Sequence, residues 1–464
     1  MIGTNNDATA IQPVIVGAGP AGVRAAEALV AAGLRPIMLD EAARAGGQIY
    51  RQPPPGFKRP KSALYGSEHH KADGVHRSMD ALAGKIDYLT QALVWHCEGN
   101  VLDVLVDGVT RTIPYSHLIL ATGATDRVLP FPGWLTPGVY TLGGSQVALK
   151  YQGCAIGADV VFAGTGPLLY LVAYQYAKAG ARVRAVLDTA RVSDHAAGLT
   201  GMLRAPGLLA KGLYYMGWLR AHGVPIHNGI RPVRVLGDER VSGIVWRDAQ
   251  GRELQVECDA VGYGLALRSE TQLASLAGCQ FDFNRQDRAW LPTRDRAGRS
   301  SVSGVYVAGD GAGIAGADAA ELAGERAGLA LIEDLGMKVD AARAQDLEKQ
   351  LAGIGRVRQA LERSFPFPTD WAESVQDDLV ICRCEEITAG TLRACVAETG
   401  AREMNRVKAL TRVGMGRCQG RMCSAGATEL LAHALKVGPE QVGRLRSQPP
   451  VKPFPIRVMV EEQS

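Results

Sequence analysis

The sequence holds no run of roughly 18 apolar residues, the length a membrane-spanning helix needs, and its start, Met1 to Ala10, lacks the apolar stretch of a signal peptide. The expectation is a cytoplasmic protein. No block of like charge occurs either: 51 Lys and Arg against 47 Asp and Glu leave a net charge of +4, spread along the chain. A nucleic-acid partner is therefore not expected. Cysteine is sparse and odd in number, nine in 464 residues, with Cys97, Cys154, Cys258, Cys279 and Cys395 dispersed. That pattern excludes a secreted disulfide framework. The other four form two close pairs near the C-terminus and suit thiolate ligands in a reducing compartment.

What is abundant is glycine, 55 residues against an average usage of about 7%, which signals tight turns and close backbone approach to a ligand. At 464 residues the chain has room for about three domains of roughly 150 residues each. The apolar strand Pro13 to Val16 runs into Gly17-Ala18-Gly19-Pro20-Ala21-Gly22, an Ala-rich helix to about Ala32, and a strand Pro36 to Leu39. This is a βαβ unit. Gln52 to His70, rich in Pro, Lys, Gly and His, reads as a surface excursion with weak structure. Strands resume at Ile86 to Val94, Val101 to Val106 and His117 to Ala121.

The same grammar recurs at Val160 to Ala163, followed by Gly164-Thr165-Gly166-Pro167-Leu168-Leu169, a helix to Lys178 and a strand Val183 to Leu187. Val305 to Asp310 carries a third glycine signal and opens a helix to about Leu335. A charged helical stretch then runs to Pro368, and a Cys-bearing segment and a Pro-rich tail close the chain.

In the first loop Gly17 allows the sharp turn, Gly19 lets backbone approach a pyrophosphate and Gly22 packs helix on strand, with Pro20 and Ala21 between them. Asp40, followed by Glu41, sits the expected ~20 residues on, where a carboxylate accepts ribose hydroxyls. Two further segments resemble the glutathione reductase and thioredoxin reductase superfamily: Leu118-Ile119-Leu120-Ala121-Thr122-Gly123, and Gly304-Val305-Tyr306-Val307-Ala308-Gly309-Asp310. The resemblance implies FAD, with Thr122 and Gly123 crossing near the dinucleotide and Asp310, after Gly309, on the ribityl chain. It also implies the Val94 backbone at the adenine, Gly46-Gly47-Gln48 at the flavin approach and Ala319 at the pyrimidine edge.

That superfamily inserts a second nucleotide domain where Gly164 to Leu267 stands. Gly164 and Gly166 keep the pattern and Asp188 could take a ribose, but Leu169 replaces the third glycine and would push the helix off the strand. A bound adenine nucleotide (ATP or NAD) and an empty scaffold both stay open. The disulfide reductases of the superfamily carry a cysteine pair beside the flavin. Residues 41 to 60 hold no cysteine, and Cys154, Cys258 and Cys279 are isolated, so disulfide reduction is not expected; isolated thiols of this kind read as small buried hydrophobes.

The two cysteine pairs are Cys382-Arg383-Cys384 and Cys418 with Cys423. Zinc, iron-sulfur and free thiols compete here. Structural zinc favours pairs spaced by two to four residues, which C-x-C fits poorly, and the glycines around Cys418 offer amides to sulfides. The segment resembles the bacterioferritin-associated-ferredoxin-like [2Fe-2S] domain, although C-x4-C stands where that ferredoxin has C-x-x-C. Arg383, Arg417 and Arg421 could offset cluster charge or stand solvated, and Cys395 reads as core. His69 and His70 read as solvent-facing.

The fold expected is α/β: two Rossmann-like (two-dinucleotide-binding flavoprotein) domains, the FAD domain discontinuous, plus a small helical [2Fe-2S] domain. The division is 11–135 and 275–340 for FAD, 136–274 for the second nucleotide fold, 341–376 a helical linker, 377–436 the cluster domain and 437–464 the tail. Nearly the whole chain resembles the α subunit of heteromeric amino-acid dehydrogenases, the opine oxidase, D-hydroxyproline dehydrogenase and hydrogen cyanide synthase family. The run Gly46 to Arg51 belongs with it. What this implies is a hetero-oligomer with a β subunit similar to D-amino-acid oxidase, with room for a small ferredoxin-like γ subunit, and contact with the inner membrane only through the electron acceptor. It also implies electron transfer: a flavin takes two electrons where a [2Fe-2S] centre passes one. No general base or carboxylate clamp stands near the flavin motifs, so no catalytic residue is assigned. A self-contained NADH-dependent flavin and iron-sulfur reductase is the competing reading.

Overall fold

The first glycine unit sits in a five-stranded sheet whose order is Val305–Val307, His117–Leu120, Pro13–Val16, Ile37–Leu39, Asp87–Leu89. Every neighbour pair in it is parallel. A computed structural model describes residues 11–57 and 59–455 of the chain, without the side chains of Ala63 and Ser67. The polar start Met1 to Ala10 and the end of the tail, 456–464, lie outside the described residues.

The strands of this sheet are buried on both faces, Val14, Ile15, Leu118 and Ile119 being fully enclosed, which is why they read as continuous apolar runs. A three-stranded antiparallel sheet, Leu93–Glu98, Val101–Val106 and Val109–Pro114, accompanies it. The second unit repeats the plan. Its parallel sheet runs Ile226–Asn228, Arg182–Asp188, Asp159–Thr165, Ala260–Leu265, Val139–Thr141, beside the antiparallel Arg231–Leu236, Gly243–Arg247 and Glu253–Glu257.

The chain leaves the first sheet after Leu120 and rejoins it only at Val305, so the FAD-type unit is split by the second. Outgoing and returning segments pair as the antiparallel strands Ala124–Asp126 and Leu267–Ser269. In open parallel sheets ligands sit beyond the carboxyl ends of the strands, and this link crosses there, next to Thr122 and Gly123.

Beyond the helices Ala317–Asp334 and Ala341–Ser364 lie a short hairpin, Val380–Cys382 with Ile387–Thr388, and the helices Ala389–Thr399, Met404–Thr411 and Ser424–Leu435. Thr388 and Glu403 cap two of these with side-chain oxygens, each cap contributing about 1 kcal/mol. The core of this segment is continuous with that of the second unit: Ile381, Leu392 and Leu430 pack with Val128, Leu129 and Trp134. The indoles of Trp134 and Trp371 donate across the junction to Val380 O and Pro130 O, both at 2.9 Å.

Two expectations change. The excursion from Gln52 becomes helical at Lys61–Tyr65 and continues as His69–Ala81, because the prolines that disfavour a helix end at Pro60, which serves as the N-cap. His69 and His70 are exposed in that helix. Of the isolated cysteines Cys258 and Cys279 are buried, but Cys154 is exposed, just past the helical segment Ala148–Gln152 and its cap Gly153. No helix among the described residues is long and apolar enough to cross a membrane.

Candidate functional site

No side chain fits at Gly17 or Gly22 of the first loop. Gly17 has φ +108°, and a Cβ there would overlap the Ala121 carbonyl oxygen; one at Gly22 would overlap the Gly17 carbonyl. One at Gly47 would come within 3.0 Å of the Gly19 Cα. Bare backbone thus cradles the N-terminus of the helix Pro20–Ala31, whose buried start includes Pro20 and Ala21, and amide dipoles there favour a pyrophosphate. Gln48, beside the cradle, is exposed and accepts from Arg51 at 2.8 Å.

Asp40 follows the second strand. Its Oδ2 accepts from the Ala18 amide at 2.5 Å and its Oδ1 from the Ala42 amide at 2.7 Å, so the carboxylate that would meet a ribose also pins the glycine loop. Burial pushes this carboxyl up while the two amides pull against it. Asp310 has the same character: burial raises it, and Ala315 and Gly316 donate to its Oδ1 at 2.8 and 3.0 Å. Gly309 and Ala319 line a cavity of about 700 Å³ bounded on its far side by the helix Ala341–Ser364. These residues fit FAD: close backbone at the phosphates, and a half-buried carboxylate at each hydroxyl-bearing stretch.

The tail straps the strand Leu93–Glu98 that carries Val94. Val94 is buried, the next carbonyl, Trp95 O, accepts from the Val451 amide at 3.0 Å, and the Phe454 ring lies 5.1 Å from that of Trp95. Lys452 pairs with Glu41, which is itself exposed. Beside the segment Gly46 to Ile49, Lys150 is 4% exposed with its Nζ 3.5 Å from Ile49 O, and burial pushes its ammonium down to about 8.

The second loop is built differently. Gly164 and Gly166 have positive φ as expected. Leu169 does not displace the helix Pro167–Lys178; it is fully buried and packs with Leu142, Val160 and Phe162. Asp188, the acid that could take a ribose, is fully enclosed. Tyr170 donates to its Oδ2 at 2.6 Å, the Ala190 amide to its Oδ1 at 2.9 Å, and His195 Nε2 stands 3.4 Å away. Phe365, just past the helix Ala341–Ser364, stacks edge-on against His195 at 4.9 Å. The contacts of this carboxylate are made to its own neighbours.

The four paired cysteines converge. Cys423 bonds the Cys382 sulfur, which also receives the amides of Gly414, Glu385 and Cys384. Cys384 meets Cys418 and its amide. The bond from Cys423 outweighs burial and holds the Cys382 thiol down at about 6, while that bond and burial push Cys423 up. A Cβ on Gly416 would overlap the Cys384 Cβ. Two thiol pairs ringed by amides fit a centre that takes two thiolates on each of two irons. Among the described residues no three or more ligating side chains close around a single ion. Cys395 lies buried in the helix Ala389–Thr399, outside the set.

Three residues join this loop to the flavin strand. The Glu270 amide donates to Gly123 O at 2.9 Å and Thr122 Oγ1 donates to Glu270 O at 2.5 Å. The Glu270 carboxylate takes Arg421 Nε at 2.6 Å, between Cys418 and Cys423 in sequence. Arg268 donates to Gly420 O, Arg421 O and Ser424 Oγ, and Gln272 to Gln419 O at 2.6 Å. Arg421 also reaches Val451 O at 2.7 Å in the tail. Sequence reasoning assigned no role to Glu270, Arg268, Gln272 or Val451, because no local spacing relates them to the cysteines.

Comparison with known proteins gives two family matches, pyridine nucleotide-disulphide oxidoreductase over residues 11–327 and the BFD-like [2Fe-2S] binding domain over 380–433. An opine oxidase subunit of Rhizobium meliloti is 39% identical over 455 residues, covering 95% of this chain and 85% of that one. Hydrogen cyanide synthase subunit HcnB of Pseudomonas aeruginosa is 35% identical over 460 residues, 96% and 97% of the two chains. In fold the chain is similar to L-proline dehydrogenase from P. horikoshii, with TM-score 0.71 and 20% identity over 97% of this chain and 79% of that one.

Proposed function

We propose an electron-transfer role from the premise that this chain belongs to the pyridine nucleotide-disulphide oxidoreductase family, with FAD as its flavin, and carries a BFD-like [2Fe-2S] domain. In this reading it is the α subunit of a heteromeric dehydrogenase. A separate β subunit similar to D-amino-acid oxidase oxidises the C–N bond of an amino acid or opine, and electrons leave through the FAD and the cluster held here. The observation that carries it is the clasp in which Glu270 holds Thr122 and Gly123 by its backbone and Arg421 of the cluster loop by its side chain. Relatives named as subunits of an oxidase and a synthase support the heteromeric form.

FAD would be held by the Gly17, Gly19 and Gly22 loop, Asp40, Gly123 and Asp310, and the cluster by Cys382, Cys384, Cys418 and Cys423. The chain's own part is to orient both groups and shield the path between them: Glu270 is buried and Arg268 half-buried. NADH as direct donor is disfavoured by Asp188, whose carboxylate is taken by Tyr170. The test is anaerobic mixing of the purified holoprotein, alone and with the co-expressed β subunit, with NADH and with amino acids and opines. Reduction of flavin and cluster by an amino acid or opine only when β is present is expected. Rapid bleaching by NADH, or substrate oxidation by the isolated chain, would sink the proposal.

A further inference from the structure

A second cavity, about 110 Å³, lies where the hairpin Phe281–Asn284 with Ala289–Pro292 meets the cluster loop. By a measure in which one water needs ~10–15 Å³ it has room for several. Its walls are positively charged. Arg127, Arg268, Arg288, Lys408, Arg444 and Arg446 line it, and its two carboxylates are already paired, Glu429 with Arg288 of the same wall at 2.6 Å and Asp287 with Arg358 at 3.2 Å.

Arg127 is 4% exposed, donates to the single carbonyl Leu267 O at 3.1 Å, and its Nε has no partner among the described residues. Ser269 Oγ, Gln272 Oε1 and Trp290 Nε1, from residues of the same wall, are likewise unpartnered. Burial pushes Arg268 down, and the Glu270 carboxylate, ahead of the thiols of Cys423 and Cys418, works against that. Lys408 and Arg444 have no such relief: burial pushes both down, for Arg444 with the help of neighbouring Arg446. A guanidinium stays protonated regardless, and enclosed positive charge without a counter-charge is costly. The helix Ser424–Leu435 adds its positive end at Ser424.

We propose that this cavity binds a small phosphorylated molecule. A phosphate dianion answers several cations where a carboxylate answers one. Gln272 Oε1, an acceptor, suits a ligand hydroxyl, and Phe283, Trp290 and Phe367 offer apolar faces to an organic portion. The site is separate from the FAD cradle and lies against the cluster loop at Gly414, Gln419 and Gly420.

The test uses full-length protein with both cofactors, exchanged into phosphate-free buffer and titrated calorimetrically with inorganic phosphate and with phenyl phosphate. Saturable binding is expected, tighter for phenyl phosphate, and weakened about tenfold in Arg127→Met and in Arg446→Ala, with the visible spectrum unchanged. Arg446 is exposed, so its variant keeps the test alive where Arg127→Met fails to fold. Inorganic phosphate binding as tightly as phenyl phosphate would overturn the organic ligand in favour of free phosphate. No saturable binding of either, or unchanged affinity in every variant that folds, would overturn the site itself.

Discussion

Arg421 Nε and Glu270 Oε2 stand 2.6 Å apart with their side chains only 15% and 10% exposed, and this pair is the side-chain tie between the cysteine loop and the backbone that clasps Gly123. Burial works to raise the Glu270 carboxyl, but the charges of Arg421 and Arg268 outweigh it and hold the group below its usual range. The carboxylate is therefore ionised at neutral pH. Its contribution to stability is complete above the unfolded value of about 4.3 and is lost as pH falls below it.

Glu270→Gln keeps the shape and removes the charge, leaving Arg421 enclosed without its partner. Breaking a buried pair from one side costs about 3 kcal/mol. The expected outcome is a lower denaturation midpoint and slower re-oxidation of the flavin through the cluster in stopped-flow traces. Equal electron-transfer rates in variant and wild type would show that the clasp holds the segments without setting the path.

Lys150 adds a second rise of stability with pH, in an alkaline window and from a charge that burial disfavours. Its ammonium is pushed down to about 8 by burial, so between about pH 8 and the unfolded value of about 10.4 the unfolded chain binds more protons than the folded one. Stability from this group rises across that window and is lowest below it. Lys150→Met should raise stability at pH 7 by about 3 kcal/mol and flatten the rise. Denaturant midpoints at pH 7 and pH 10 check this; a wild type with no rise between them contradicts the placement.

How much of this was legible depends on distance along the chain. The glycine loops and cysteine pairs are local patterns set by neighbours a few residues away, so the tight backbone at Gly17 and Gly22 and the existence of two cysteine pairs were legible as patterns. Asp188 was legible as an acid at a strand end. Its capture was not, because Tyr170 next to the third-glycine position reads as an ordinary core aromatic. The Glu270 to Arg421 bond joins positions 151 residues apart, and only the packing of one folded segment on another creates it.

For the second loop, Tyr170→Phe should cost about 1.5–3 kcal/mol, the range for a hydrogen bond to a charged group, and make Asp188 a buried carboxylate short of a donor. Wild-type flavin should stay oxidised under millimolar NADH in an anaerobic cuvette. A variant that gains NADH-driven bleaching would show that Tyr170 is the barrier to a nucleotide; a wild type that bleaches would show that it is none.

Gly22→Ala tests the first loop. Its Cβ would overlap the Gly17 carbonyl oxygen, so helix and strand must part, at roughly 1–3 kcal/mol for overpacking. The purified variant should lose bound FAD, seen as a lower ratio of flavin to protein absorbance, while keeping its iron. Full flavin occupancy would place the cofactor elsewhere.

The cysteines separate one cluster from alternative thiol chemistry. Serine at Cys382, Cys384, Cys418 or Cys423 should each lower iron and sulfide content and weaken the EPR signal of the reduced protein, because each sulfur belongs to one of the two converging pairs. Cys395→Ser should leave both unchanged, since that thiol is buried in a helix outside the set. The informative case is Cys418, whose spacing to Cys423 is wider than in the ferredoxin pattern. If Cys418→Ser keeps full iron and sulfide, the fourth ligand is another residue; if it loses them together with the other three, the wider spacing is accommodated by the turn at Gln419 and Gly420, both of which adopt positive φ.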